Sequence, residues 1–242
     1  MISERDISEK FSAIWKQHFP LLTPNFIRVL NGTQTFRINT KQVLALEEVR
    51  FDLISEAAFN LSELAFVNEI TASKAFIKEE QIKIISRTAQ SIWKPGNYTD
   101  NDLSISDIEK QEIVAIAENI LEFIEKLGGQ NVVFKPQLKG YSFIPDLKAD
   151  ISIDDAIFEI KTVNRNFKSS DIKQLLIYIA LKQVSEKETW KFGGLYNPRK
   201  GSYCKFNIKS SIYNLSGGKS PNEAFENLLN GLNRDVELDS RF

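Results

Sequence analysis

Cysteine, histidine and methionine are almost absent: in 242 residues there is one of each, Cys204, His18 and Met1. A lone cysteine excludes an intrachain disulfide and fits a reducing, cytoplasmic setting, with Cys204 read as a small buried strand residue. A lone histidine leaves His/Cys zinc sites without ligands and serine or cysteine hydrolases without a base, unless His18 is that base. His18 stands in WKQHFP, before a proline, and reads as a helix-end residue. No apolar run approaches the ~18 residues of a membrane span. The polar, mixed-charge opening MISERDISEK does not read as a signal peptide. These features point away from a membrane. No phosphate-binding loop, dinucleotide fingerprint, internal repeat or low-complexity tract is present. Net charge is only −1, so the whole chain does not advertise a polyanionic partner.

What is present suits one ordinary domain or two small ones: 42% of residues are hydrophobic and 26% charged. Residues 1–23 read as a short helix with Ile7, Phe11, Ile14 and Trp15 on one face, ended by Pro20 and Pro24. FIRVL-NG-TQTFRI reads as a hairpin, because Asn31-Gly32 is a good turn pair. Residues 41–70 read as a helix with Glu47, Glu48, Arg50 and Asp52 early in it, and residues 72–93 as a second. KPGNYTDNDLSIS, at 94–106, has the composition of a linker. It divides the chain into a mostly helical accessory region, 1–105, and a core, 106–242. The accessory region would serve a protein partner, a second copy or the substrate.

Ser106-Asp107-Ile108-Glu109 is a capping-box signature. The helix it opens runs to Leu127 and stops at Gly128-Gly129. Ile113, Ile116, Ala117, Ile120, Ile124 and Leu127 form its apolar stripe; Glu118 and Glu122 lie opposite and Glu112 at the border. NVVFKPQL is then a strand. FGGLYNPRKGSYCKFNIKS reads as two strands around a Pro-Arg-Lys-Gly turn that puts Arg199 and Lys200 at its tip, as phosphate contacts or plain turn charges. SPNEAFENLLNGL is a closing helix capped by Ser220.

The chemistry concentrates between Pro145 and Tyr178. ADISI and AIFEIK flank Asp154-Asp155 as a hairpin. A two-residue loop sets Ile153 against Ala156, Ser152 against Ile157, Ile151 against Phe158 and Asp150 against Glu159. Opposed residues project to one face, and Lys161, two beyond Glu159, shares it. Two like charges directly opposed are destabilising, so Asp150 and Glu159 call for a cation between them. Hard divalent ions take carboxylate oxygens and keep several waters. Asp146 also lies on the even-numbered face but four residues from Asp150, about 13 Å along a strand. Asp150 is therefore preferred as the ligand and Asp146 as a turn residue. Gln174 and Tyr178 are spaced i, i+4 on the following helix, which reads as opening near Ser170; with Asp171 as its N-cap, Gln174 would fall at N3 of a capping box.

Acid, hairpin, Glu159-Ile160-Lys161 and the Gln174/Tyr178 pair, in that order, resemble the PD-(D/E)XK nuclease superfamily over roughly residues 107–210. The resemblance implies a restriction-endonuclease-like α/β core with a mixed sheet of about four or five strands flanked by helices. It implies hydrolysis of phosphodiesters, in DNA more than RNA, with Mg2+ or Mn2+ on Asp150, Glu159 and the Ile160 carbonyl. Lys161 would stabilise charge, and Gln174, Tyr178, Arg199 and Lys200 would hold the substrate. Similar nucleases serve restriction, repair and phage defence. The extra helix glutamate of many relatives has no clear counterpart in Glu112, Glu118 or Glu122. An inactive, nucleic-acid-binding or scaffold subunit is the alternative function. Between Lys161 and Lys209 there are 11 Lys and Arg against 3 Asp and Glu, and 20 against 29 elsewhere, so +8 stands beside −9. This local asymmetry reads as a modest basic groove beside the site.

Overall fold

The computed structural model describes residues 3–39, 41–44, 49–94 and 97–238. The chain forms α1 (Glu4–Lys10), α2 (Ser12–His18), α3 (Pro24–Thr33), β1 (Phe36–Arg37), α4 (Phe51–Val67), α5 (Ala72–Ala75) and α6 (Lys78–Ile92). After a 3-10 turn at Asp100–Leu103 come α7 (Asp107–Leu127), β2 (Val132–Phe134), β3 (Gln137–Leu138), β4 (Leu147–Lys148), β5 (Ile151–Ile153) and β6 (Ala156–Ile160). The last elements are α8 (Ser169–Glu186), β7 (Phe192–Asn197), β8 (Ser202–Asn207), α9 (Ile208–Leu215) and α10 (Pro221–Leu238).

The architecture is α/β, with a mixed six-stranded sheet between two helical layers. Its strand order is β1-β8-β7-β6-β5-β2, and β3 and β4 pair separately. Only β6 and β7 run parallel, joined by the α8 crossover; the other pairs are antiparallel. The sheet is wider than four or five strands because β1 adds to the β8 edge through Phe36–Tyr203 and Arg37–Ser202.

Side chains alternate between two cores, as the two-residue period of a strand requires. Ile157, Leu195 and Cys204 face one layer, built from α1, α2, α3, α8, α9 and α10. Ile151, Ile153, Phe158 and Tyr196 face the other, built from α4 to α7. Both cores therefore take elements from either side of residue 105. In the second, Phe123 of α7 stacks on Tyr196 at 3.9 Å and 4° and meets Phe158 edge-on at 5.1 Å.

The hairpin register is the one the sequence implies: Ile153–Ala156, Ser152–Ile157 and Ile151–Phe158. Asp154 takes the left-handed φ of 51° that its turn needs. Its Oδ1 accepts the Gln130 and Asn131 N–H groups at 2.9 and 2.8 Å, tying the turn to the end of α7. The capping box of α7 also forms, with Ser106 Oγ accepting Glu109 N–H at 3.2 Å and Glu109 Oε2 accepting Ser106 N–H at 3.0 Å. Gly128 closes the helix at φ 66°.

Several local expectations are corrected. Residues 24–33 form a helix, not half of a hairpin. Thr23 Oγ1 caps Phe26 N–H, Pro24 sits in the first turn, and Phe26, Ile27 and Leu30 meet the core at helical spacing. That combination outweighs the Asn31-Gly32 turn pair, and Asn31 instead bonds both backbone groups of Phe167. The first helix breaks at Phe11, and the 72–93 helix breaks at Phe76-Ile77. The 41–70 helix begins only at Phe51; Glu47 and Glu48 lie outside the described residues. Lys135, at φ 52°, and Pro136 split NVVFKPQL into β2 and β3. Residues 208–210, read as the end of a strand, instead open a helix that runs to Leu215, and the closing helix reaches Leu238.

Within the 94–106 segment, Arg50 holds Ser104 O at 2.7 Å, Asp102 O and the Glu109 carboxylate, so side chains fix the composition-defined linker. Removing the Phe123 ring would leave a cavity under Tyr196 and Phe158. Phe123→Ala should lose about 3–5 kcal/mol in urea denaturation, the range for buried aromatic truncations. A loss below about 1 kcal/mol would show that the sheet does not depend on this stack.

Candidate active site

Strand β6 delivers Glu159 and, one step past its end, Lys161 to the face covered by α8. Alternation places both on the side of Ile157, whereas Phe158 and Ile160 turn to the opposite core. The ladder continues to Lys161, whose N–H donates to Tyr196 O at 2.8 Å. Opposite, Asp150 directly precedes β5 and its Oδ2 accepts the Ile160 N–H at 2.6 Å. That bond fixes the Asp150 carboxylate next to β6, where its charge bears on Glu159.

A continuous row of side chains runs from there onto α8. Lys161 Nζ lies 2.6 Å from Glu159 Oε1 and donates to Gln174 Oε1 at 2.6 Å. Gln174 Nε2 donates to the Tyr178 hydroxyl at 3.1 Å. Glu159 and Tyr178 are each 2% exposed, whereas Asp150, Lys161 and Gln174 are half-buried, so the row reaches from the interior toward the surface. Glu159 Oε2 is buried without a protein hydrogen-bond partner.

The electrostatics follow from this crowding. Burial, reinforced by the nearby Glu56 carboxylate, pushes Asp150 up to about 6 although Ile160 N–H and Lys161 oppose the shift. Burial and then the Asp150 charge push Glu159 up to about 8 against the pull of Lys161. Burial works against the Lys161 ammonium, but Glu159 and Asp150 more than offset it and hold the group charged. Burial drives the Tyr178 phenol up, so it stays protonated.

The N-terminus of α8 differs from the expected cap. Lys168 is the N-cap, and Asp171, at N3, accepts its N–H at 2.8 Å and binds Arg165 through both oxygens at 2.7 and 2.9 Å. Gln174 is one turn further in, free of capping and committed to Lys161. Asp146 is exposed, and its Oδ1 accepts Gly140 N–H at 2.8 Å in the loop before β4, the turn role the spacing suggested.

Arg199 is not a tip charge. It is 1% exposed, its Nη2 lies 2.8 Å from Glu112 Oε2, and its guanidinium stands 5.2 Å over the Phe51 ring. A phosphate contact at Arg199 lacks the required exposure. Lys200 stays at the surface end of the turn and donates to Asn166 Oδ1 at 2.6 Å, beside the loop that follows Lys161. Arg165 and Lys168 lie in that loop too, but the more distant charges of the 161–209 stretch do not gather there. Lys182 pairs with Glu186 and Glu188, while Lys191 and Lys205 lie over Phe192 at the opposite end of the parallel β6–β7 pair.

Sequence spacing missed Glu56 and Glu4, whose charges bear on Asp150 and on Glu159 respectively from helices far away in the chain. No local pattern could find them. Among the described residues no group of three or more His, Cys, Asp and Glu side chains converges as a metal site. The donors present are two hard carboxylates, one of them with an oxygen lacking a donor. These suit Mg2+ or Mn2+, which keep part of their water shell. No protein-family model and no curated protein matches the chain.

The raised carboxyl values carry a sign. Between their ordinary range near 4 and the folded values of about 6 and 8, the folded state binds more protons than the unfolded one. Stability from these groups is therefore complete at low pH and lost as pH rises through about 6 to 8. With EDTA present, the wild type should lose stability relative to Glu159→Gln between pH 5 and pH 9. Chemical denaturation of both proteins across that range checks this. Parallel curves would mean that the pair is not crowded.

Proposed function

We propose that this chain is a metal-dependent nuclease with a restriction-endonuclease-like core that hydrolyses phosphodiester bonds, in DNA more than RNA. The supporting observation is the Asp150–Glu159 pair standing beside a charged Lys161 that Gln174 and Tyr178 hold in place. Mg2+ or Mn2+ would be held by Asp150, Glu159 and the Ile160 carbonyl. When bound it would supply Lewis-acid polarisation of the phosphoryl oxygen and a more acidic attacking water.

The chain's own groups do the rest. Lys161 provides fixed positive charge where the phosphoryl oxygens gain negative charge, with little reorganisation because Glu159 and Gln174 already fix its ammonium. Gln174 presents its carbonyl to Lys161 while Tyr178 accepts from its amide nitrogen, so Tyr178 is a positioning residue. The Ile160 N–H fixes Asp150 in turn. In the hydrolysis, a water oxygen bonds to phosphorus, the ester oxygen leaves opposite it, and the proton goes to solvent or a neighbouring carboxylate.

Labelled single-stranded and duplex DNA and RNA, incubated with Mg2+ or Mn2+, test this reading. Lys161→Ala should slow cleavage about 100- to 1,000-fold, the cost of losing one preorganised charge donor. Asp150→Asn should do at least as much, and Asp146→Ala should cleave like wild type. Cleavage surviving Asp150→Asn but lost in Asp146→Ala would move the site. Absence of cleavage together with absence of any Mn2+-dependent rise in melting temperature would overturn the reading.

A further inference from the structure

A groove of about 610 Å³ opens between α4, α6 and the segments carrying Lys135 and Lys148; the Lys135 N–H donates to Asp150 O at 2.8 Å, and Lys148 stands two residues before Asp150. Its charges are sorted. Lys135 binds Glu63 at 2.6 Å and Lys83 binds Glu80 at 2.6 Å, which neutralises one part of the wall. Arg87 and Lys148 are exposed and take part in no ion pair among the described residues. Glu56 also lines the groove, and its charge bears on Asp150. Leu64, Val67 and Ile84 give the same groove an apolar strip, and Val67 is 72% exposed. Two uncommitted cations and an apolar strip thus share the groove with Glu56.

We infer that this groove takes a single nucleic-acid strand flanking the scissile phosphate, with Arg87 and Lys148 on its phosphates and Val67 against a base; this rests on the nuclease reading. The groove has the volume of a small-ligand site, about that of one or two nucleotides of a single strand. Phosphates pair with the two free cations, whereas the paired lysines leave Glu63 and Glu80 without repulsion for the strand. An acidic peptide could satisfy the cations, but it would not use the apolar strip beside them. The folded chain thereby favours substrates with an unpaired segment next to the cut.

Fluorescence anisotropy with a labelled 20-nucleotide single strand and a blunt duplex, in Ca2+, is the test, with cleavage in Mg2+ run alongside. Arg87→Glu with Lys148→Glu should weaken single-strand binding at least tenfold. The milder Arg87→Gln with Lys148→Gln should lower the slope of log affinity against log salt by about 1.4, the loss of two single-strand phosphate contacts. Lys16→Glu with Lys209→Glu, reversing two exposed charges on the opposite helical layer, should change neither. Wild-type cleavage with unchanged strand binding in the groove variants would overturn the groove and leave the nuclease reading standing. Groove-dependent binding without cleavage would support the groove and remove the nuclease reading. Stronger competition by an acidic peptide than by the strand would overturn the nucleic-acid assignment.

Discussion

Two crowded carboxylates, Glu159 buried and Asp150 half-buried, are the constraint around which this fold is arranged. Left alone, Asp150 and Glu159 would repel each other and each would lose its hydration. The chain answers with Lys161 at 2.6 Å from Glu159, with the Ile160 N–H on Asp150, and with carboxyl values raised to about 6 and 8. Each answer is partial. Under the proposed function, a hard cation between the two carboxylates would relieve that crowding.

The surroundings make that strain persist. The Phe123–Tyr196–Phe158 stack fixes β6 and β7 from behind, and the Asp154 turn locks the register that sets Asp150 against Glu159. On the other face α8 carries Gln174 and Tyr178 to Lys161. The hairpin, parallel crossover and two cores therefore act on a few side-chain positions. Charge placement contributes as well: Glu56 adds negative charge at Asp150, and it shares its groove with the free cations Arg87 and Lys148.

The hairpin and its site were legible because the information is local. A two-residue turn, strict alternation and an i, i+4 pair specify contacts within a few residues, and Ile151–Phe158 through Ile153–Ala156 follow directly. Elsewhere local signals competed with contacts that no window contains. Asn31-Gly32 has the chemistry of a turn, yet Thr23-Pro24 and the burial of Leu30 make it the end of a helix. Arg199 has the sequence position of a tip residue, yet Glu112, on α7, draws it inside. A charge imbalance counted along the chain is likewise not a surface patch: Lys182, Lys191 and Lys205 sit at the far end of the sheet from Lys161. The sixth strand was invisible because Phe36-Arg37 has meaning only beside Tyr203 and Ser202.

Calorimetric titration of Mn2+ into the protein at pH 7, repeated in buffers of different ionisation enthalpy, tests the central claim most directly. It reads how many protons leave as the ion binds. Because the crowded Asp150–Glu159 pair holds about one proton at that pH, binding should release about one proton per ion, and Glu159→Gln should abolish that release. Binding without proton release, or with the same release in Glu159→Gln, would contradict the account, as would the absence of binding.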